Sequence, residues 1–268
     1  MKIEVQHPYD WESTLAFFAR RAITEVELVA DGAYSRAFEI DGEQGWFRVH
    51  WDDGLIVETT NDRVIPHVRR MFDADVDPSM IAEYLSRDTW LAPLIRQRPG
   101  LRVPKGWNAF EVTMRAIYGQ QVTVRAGVQA VSALASAAGD ELRIDGAPTG
   151  LTRVFPRPSQ VNADCVACVR GPRARAETVL AVARLADGRP EFTGDELRTI
   201  KGVGDWTVGY VAMRGFGDRD AFPSKDVVLL KALARQAVDA SPRALLERAE
   251  NWRPFRAYAA LHLWASES

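Results

Sequence analysis

Apolar and polar positions change their rhythm about a quarter of the way along the chain. The first 60 residues combine one helical pattern, Trp11 to Arg21 (WESTLAFFARR), with β-rich runs VELVA, YSRAFEI, GWFRVHW and LIVETT, separated by DG, DGEQG and DDG turns. This predicts a small antiparallel α+β domain. From Arg63 onward the period becomes helical, over Val64 to Phe72, Pro78 to Ser86, Ala109 to Ala138, Ala174 to Ala186, Gly194 to Ile200, Trp206 to Arg214, Asp226 to Val238, and Ala244 to Trp264. No comparable strand clusters follow, so the remainder is predicted to be mainly α. No repeat of fixed period and no low-complexity segment interrupts it.

With 268 residues, 47% hydrophobic and 26% charged, the composition is that of a soluble globular protein and excludes disordered and collagen-like classes. The length suits two compact units or one large one. No apolar run approaches the ~18 residues of a membrane span, and the start, MKIEVQHPYDWE, is too polar for a signal peptide, so a cytoplasmic location is expected. The net charge of −2 conceals an asymmetry: residues 1–77 hold 8 Lys+Arg against 16 Asp+Glu, and the rest hold 26 against 20. Between Arg96 and Arg175, 12 basic residues meet 5 acidic ones, a stretch that could face phosphates or form solvated helix faces. The only cysteines, Cys165 and Cys168, form a lone CxxC, which excludes a four-cysteine zinc or iron–sulfur site within the chain. The four histidines show no metal-ligand spacing with them.

Between two helical patterns lies Leu197-Arg-Thr-Ile-Lys-Gly-Val-Gly204, where two glycines bracket one apolar residue just before a helix opening at Asp205. Glycine permits positive φ and close backbone approach, and the next helix offers unpaired N–H groups and a positive dipole end, a combination that suits a phosphate. Gly202 could equally be the terminator of the preceding helix.

The stretch Leu-x-x-Ile-x-Gly-Val-Gly-x-Trp-Thr, followed by Phe222-Pro-Ser-Lys-Asp226, resembles the helix-hairpin-helix DNA glycosylase superfamily. Further segments are similar to its bacterial 3-methyladenine DNA glycosylase II type. These are Pro8-Tyr-Asp-Trp11, Leu15-Ala-Phe-Phe, Arg20-Arg-Ala22, Arg69-Arg-Met-Phe-Asp73, Asp77-Pro78, Arg98-Pro-Gly-Leu-Arg102, Ala109-Phe-Glu111, Arg115-Ala-Ile-Tyr-Gly-Gln-Gln121, Trp252-Arg-Pro-Phe-Arg-Ala-Tyr258 and Leu261-His-Leu-Trp264. The resemblance touches every region in order. It implies an α+β fold in which an N-terminal domain like one repeat of a TATA-binding protein, residues 1–77, precedes two all-α domains. Residues 78–105 with 219–268 are expected to form one wall of a cleft, and residues 106–218, carrying the hairpin, the other.

The resemblance also implies Asp226 as the catalytic carboxylate; taken alone, Asp226 opens the helical run DVVLLKALARQ and reads as a cap. The two roles are compatible, since a carboxylate at a helix N-terminus is favoured by the dipole and can stabilise a sugar oxocarbenium ion or orient the attacking water. Trp206 and Tyr210, four apart on one helix face, read as core residues by spacing, but with Trp264 they match the aromatic lining of the base pocket. Gln120 is expected beside the base. Gln121 stands where a residue enters the gap left by the flipped base; the glycosylase II type has an apolar wedge there, and this glutamine departs from it. Gly202, Val203, Gly204 and Thr207 are expected at the DNA, and the main-chain carbonyls of Arg198, Ile200 and Val203 as a candidate Na⁺ or K⁺ site. Trp206 stands where lyase-competent branches place a Schiff-base lysine, and neither Lys201 nor Lys225 matches that position.

The expected function is therefore a monofunctional DNA glycosylase that flips alkylated purines such as 3-methyladenine and 7-methylguanine from damaged duplex DNA and hydrolyses the N-glycosidic bond. Such an enzyme needs no cofactor and no iron–sulfur cluster, and a monomer without membrane contact is expected. The alternatives are a glycosylase for hypoxanthine or oxidised guanine, and a non-catalytic lesion-binding module.

Overall fold

The computed structural model describes residues 1–189, 191–236 and 239–267. Strands β1 (Lys2–Ile3), β2 (Glu27–Ala30), β3 (Ala33–Ile40), β4 (Glu43–Trp51) and β5 (Leu55–Thr59) form one antiparallel sheet in the order β1-β5-β4-β3-β2. The four longer strands coincide with the four β-rich runs. β1, only two residues long, shows no alternation in sequence and exists because Lys2 and Ile3 pair with Ile56 and Leu55. Helix α1 (Trp11–Ala19) is capped by Asp10, whose carboxylate accepts the Ser13 amide at 2.9 Å. With α2 (Ile65–Met71) it covers the sheet, enclosing Phe18, Tyr34, Phe38, Phe47, Val68 and Phe72.

The remainder is helical, with two further apolar cores. One joins α3 (Pro78–Leu85) and α4 (Leu91–Gln97) to α11 (Val227–Ala234), α12 (Pro242–Ala249) and α13 (Arg256–Ser266) around Ile81, Leu91, Leu229, Leu245, Trp252 and Leu263. The other gathers α5 (Ala109–Tyr118), α6 (Val124–Ala138), α7 (Ala163–Ala167), α8 (Arg173–Ala186), α9 (Gly194–Arg198) and α10 (Asp205–Val211) around Phe110, Ile117, Leu134, Val179, Leu197 and Val211. Ile23 and Val26, from the N-terminal region, belong to this last core. The short helices α4 and α7, of seven and five residues, escaped the sequence reading because so few positions show no period.

Three expected helices are shorter than their apolar patterns. The stretch Ala109–Ala138 is two helices, because the chain turns at Gly119–Thr123 and the Thr123 hydroxyl caps α6 through the Ala126 amide at 3.2 Å. The two helices touch through backbone at this corner: a Cβ on Gly127 would lie 3.1 Å from Gly119 Cα. The stretch Ala244–Trp264 breaks before Pro254, which has no N–H to continue a helix. The stretch expected over Asp226–Val238 is helical to Ala234, and Ala237 and Val238 lie outside the described residues.

Buried charge joins the sheet to the helices. Glu27 and Arg36 on β2 and β3 meet Glu111 and Arg115 on α5: Arg36 Nη1 donates to Glu27 Oε1 at 2.8 Å, Arg36 Nη2 to Glu111, and Arg115 Nη2 to Glu27 Oε2 and Glu111 Oε1 at 2.7 Å. Burial disfavours each charge, but the opposite charges outweigh it, holding the Glu27 carboxyl below the usual range and the two guanidinium pKa values above theirs. A second junction centres on buried Asp73, which accepts the Val103 amide at 3.2 Å, the Tyr258 hydroxyl at 2.7 Å and the Lys105 ammonium. Each junction is sensitive to loss of one member, because removing a single partner of a buried ion pair costs about 3–5 kcal/mol.

His262 on α13 is 6% exposed, and its Nδ1 meets no partner among the described residues. Burial, with the nearby Arg98 charge, pushes its pKa from 6.5 down to about 4. Above pH 6.5 the ring is neutral whether folded or unfolded. Between 6.5 and 4 only the unfolded chain takes up the proton, so stability present above that window is lost as pH falls, by about 3 kcal/mol in full. We expect His262→Leu to flatten the fall of stability across this window in urea titrations at a series of pH values; a slope equal to the parent's would place the acid sensitivity elsewhere.

Candidate active site

The hairpin joins α9 to α10. Thr193 and Glu196 cap α9 reciprocally, the Thr193 amide donating to Glu196 Oε2 at 2.8 Å and the Glu196 amide to Thr193 Oγ1 at 3.2 Å. Gly202 takes φ +93°, and a Cβ there would lie 2.3 Å from Thr178 Oγ1, so only glycine meets both demands. That hydroxyl donates to the Lys201 carbonyl at 2.8 Å and so anchors the turn on α8. From the other side, Gln120 Nε2 donates to the Gly202 carbonyl and to Thr207 Oγ1, both at 3.0 Å.

Asp226 caps the N-terminus of α11 and bonds to residues packed on both helical cores. Its Oδ1 accepts the amides of Val228 and Leu229 at 3.0 and 3.1 Å and Trp264 Nε1 at 2.9 Å. Its Oδ2 accepts Trp206 Nε1 at 2.8 Å. Oδ1 thus serves three donors, whereas Oδ2 serves one and keeps acceptor capacity for a reacting group. The Trp206 ring stacks on Tyr210 at 5.2 Å and 18°. Asp226, Trp206, Tyr210 and Trp264, expected from sequence to share a site, are brought together by these contacts.

Two members of the cluster were not expected. Arg214, in the π turn Ala212–Phe216 that continues α10, places Cζ 5.6 Å from the Tyr210 ring centre, 5.5 Å from that of Trp264 and 4.2 Å from that of Phe17. Phe17 comes from α1, so the sheet domain reaches the aromatic cluster, and its ring also has Arg21 Cζ at 4.2 Å. The signal for Arg214 was its place four residues after Tyr210 and eight after Trp206, continuing one helix stripe. Phe17 carried none beyond its place in the Leu15-Ala-Phe-Phe segment. Burial lowers the Arg214 pKa to about 10 against the favourable charge of Tyr210. Burial would raise the Tyr210 phenol, but the charges of Arg214, Arg21 and Arg115 outweigh it and hold the phenol below its ordinary range.

Other expectations change. Thr207 is 1% exposed and its hydroxyl accepts from Gln120, so it faces the core and not a ligand. Gln120, expected beside the base, has both amide hydrogens directed to the hairpin and acts as a strut between the two loops. The Val203 amide donates to the Ile200 carbonyl at 3.0 Å and its side chain is buried, leaving the amides of Gly202 and Gly204 without partners among the described residues. Gln121 is exposed with φ +57° at the tip of the α5–α6 turn, beside Val122 and Val124, which are 41% and 50% exposed. Lys225 is ion-paired with Asp205 at 2.7 Å on the surface. Of the basic stretch, Arg102, Lys105 and Arg115 are internal, whereas Arg125, Arg170 and Arg173 are exposed. Cys165 is buried and Cys168 exposed, both as free thiols.

Residues 1–108 match the AlkA N-terminal domain family. DNA-3-methyladenine glycosylase 2 of Escherichia coli is 30% identical over 283 residues, which cover 98% of this chain and 95% of that protein. The chain belongs to this glycosylase family. A probable bifunctional transcriptional activator/DNA repair enzyme AlkA of Mycobacterium tuberculosis is 31% identical over 99% of the chain, but the chain spans 56% of that relative's length. The fold matches the 3-methyladenine DNA glycosylase structure from Archaeoglobus fulgidus at TM-score 0.87 and 20% identity, covering 100% of this chain and 98% of that one. It also matches an 8-oxoguanine glycosylase/lyase of Clostridium acetobutylicum in complex with duplex DNA at TM-score 0.73 and 19% identity, over 91% and 87% of the two chains.

Gly202→Ala should destabilise the protein by about 1–3 kcal/mol through positive-φ strain and the clash with Thr178. In a Thr178→Ala background the same change should cost less, because only the backbone part remains; denaturant melts of the four proteins check this, and equal costs would exclude the clash.

Proposed function

We propose that this family member is a hydrolytic DNA glycosylase that turns an alkylated purine out of damaged duplex DNA against the aromatic cluster of Trp206, Tyr210 and Trp264 and cleaves its bond to deoxyribose. The observation that carries this reading is Asp226, whose carboxylate accepts both indoles. A purine alkylated at N3 or N7 is cationic and departs as a neutral base with the electron pair of the C–N bond, so no positioned acid is required. Positive charge then develops on the sugar, where a fixed carboxylate stabilises it without reorganising. Water adds to the anomeric carbon and loses a proton, leaving the free base and an abasic site. In this role Oδ2, with its remaining acceptor capacity, faces the sugar, and the Trp206 and Trp264 N–H groups keep the carboxylate from turning away.

Trp206 also supports hydrolysis over strand cleavage, since an indole cannot form an imine. Phosphate contact falls to the amides of Gly202 and Gly204 on the hairpin, which read no sequence, with Arg125, Arg170 and Arg173 as further exposed positive charge. Gln121 and exposed Val122 at the turn tip are suited to fill the vacated stack, one polar and one apolar. The carbonyls of Arg198, Ile200 and Val203 are the proposed ligands of a monovalent cation; Ile200 already accepts the Val203 amide, and its second lone pair fits that role. The reaction needs only water, and a monomer can perform it.

Asp226→Asn is expected to lower release of free base from methylated duplex DNA by at least about a hundredfold, while binding to an abasic-site duplex persists. Near-normal turnover would remove Asp226 from the chemistry. Borohydride added during turnover should trap no protein–DNA adduct, and breakage of the abasic strand should require alkali; a trapped adduct would reveal a lysine nucleophile.

A further inference from the structure

The buried junction around Asp73 opens into a cavity of about 220 Å³, lined by four cations, Arg69, Arg70, Lys105 and Arg219, and by two carboxylates, Asp73 and Asp75. Two of the cations take the carboxylates: Lys105 donates to Asp73, and Arg69 pairs with Asp75. Asp73 is further engaged by the Val103 amide and the Tyr258 hydroxyl. The other two cations bond no carboxylate. Arg70 Nη1 donates to the Gly215 carbonyl at 3.1 Å, and its Nη2 to the carbonyls of Gly106, at 2.6 Å, and Trp107. Glu111 acts on Arg70 through space, but its carboxylate is bound by Arg36 and Arg115. The exposed Arg219 side chain makes no hydrogen bond or ion pair among the described residues, and its neighbour Asp220 is held by Arg253 and Arg256. The cations are crowded: burial lowers the Lys105 pKa despite the Asp73 contact, and the charges of Arg70 and Arg219 add to the lowering.

The lining thus carries two positive charges in excess, gathered in a concave site where water screens them less than on an open surface. An anion placed there relieves the repulsion among the cations and is attracted by all of them. The excess matches a phosphate dianion, inorganic or a terminal monoester, better than the single charge of a phosphodiester linkage. The uncommitted guanidinium fork of Arg219 suits phosphate oxygens, as the carboxylate-bound Arg69 does not. Phe216, 38% exposed, also stands in the lining and offers a ring face to a nucleobase. We propose that this cavity binds a terminal phosphate dianion, free or carried by a nucleotide, with Lys105 and Arg70 on its inner side and Arg219 at its open side. The site uses neither Asp226 nor the aromatic cluster, so it stands independently of the glycosylase reading. Its walls come from α2 of the sheet domain, from the chain at Lys105 and from the π turn that continues α10, so an occupant ties together elements of separate cores.

The test is equilibrium dialysis of radiolabelled inorganic phosphate against the parent, Arg219→Ala and Arg243→Ala, at about pH 7.5, where phosphate is largely a dianion. Arg243 is an exposed arginine on α12, away from the cavity lining, and controls for loss of one surface charge. The parent should bind saturably; Arg219→Ala should bind about tenfold or more weakly, and Arg243→Ala within about twofold of the parent. No saturable binding by the parent, or binding by Arg219→Ala within about twofold of it, overturns the proposal. Because the Arg219 side chain supports no other group, its removal should leave the fold intact, which a denaturant melt checks. Displacement of the bound label then separates the sources. If deoxyadenosine 5′-monophosphate displaces at about tenfold lower concentration than inorganic phosphate, and Phe216→Ala removes that advantage, the ligand is a nucleotide; equal displacement identifies free phosphate. Dimethyl phosphate, a monoanion, should displace at least about tenfold less well than phosphate, and equal displacement would overturn the assignment to a dianion.

Discussion

A single carboxylate fixes the geometry of the candidate site. Asp226 caps α11, which packs into one apolar core, while Trp206 packs against the other, and the bonds from the indoles of Trp206 and Trp264 hold both rings at set angles to the acid. The same oxygen that receives Trp264 also ends the amide chain of α11, so the acid cannot swing without uncapping a helix. Positioning and helix capping are here one interaction. A reaction that needs a fixed negative charge beside a developing positive one is served by this rigidity.

The aromatic cluster in turn depends on how the sheet domain is attached. Glu27 and Arg36 are matched to Glu111 and Arg115, and Asp73 to Lys105 and Tyr258, so two sets of buried polar groups are satisfied only when the three cores meet in one arrangement. Buried ion pairs contribute little net stability, yet an incorrect docking would leave charges unpaired. The consequence reaches the site, because that docking brings Phe17 of α1 against Arg214, and Arg214 against Tyr210 and Trp264. The N-terminal domain thereby contributes Phe17 to the aromatic cluster.

Charge counted along the chain is a poor guide to charge presented outward. Arg102, Lys105 and Arg115 contribute to the basic stretch but lie inside, held by carbonyls or carboxylates, whereas Arg125, Arg170 and Arg173 face solvent. The arginines of highest consequence for the fold are those hidden from any partner.

Sequence by itself determined the α+β then all-α order, four of the five strands, most helices, the hairpin, and the carboxylate with its three aromatic neighbours. Those features are local or motif-borne: alternation, helical period, a glycine pair before a helix, and residues carried over from a family pattern. What only the tertiary structure decided are the long-range relations. The break of Ala109–Ala138 at Gly119 depends on the contact with Gly127, not on apolar period. Thr207 was assigned to the DNA and Gln120 to the base because sequence does not say which way a side chain at the start of α10 or in the α5–α6 turn faces, and their mutual hydrogen bond directs each to the other. Phe17 and Arg214 stand 197 residues apart, and nothing in either neighbourhood predicts a guanidinium over that ring; their meeting follows from the packing of three cores, each of which buries apolar surface against partners that are distant in the chain.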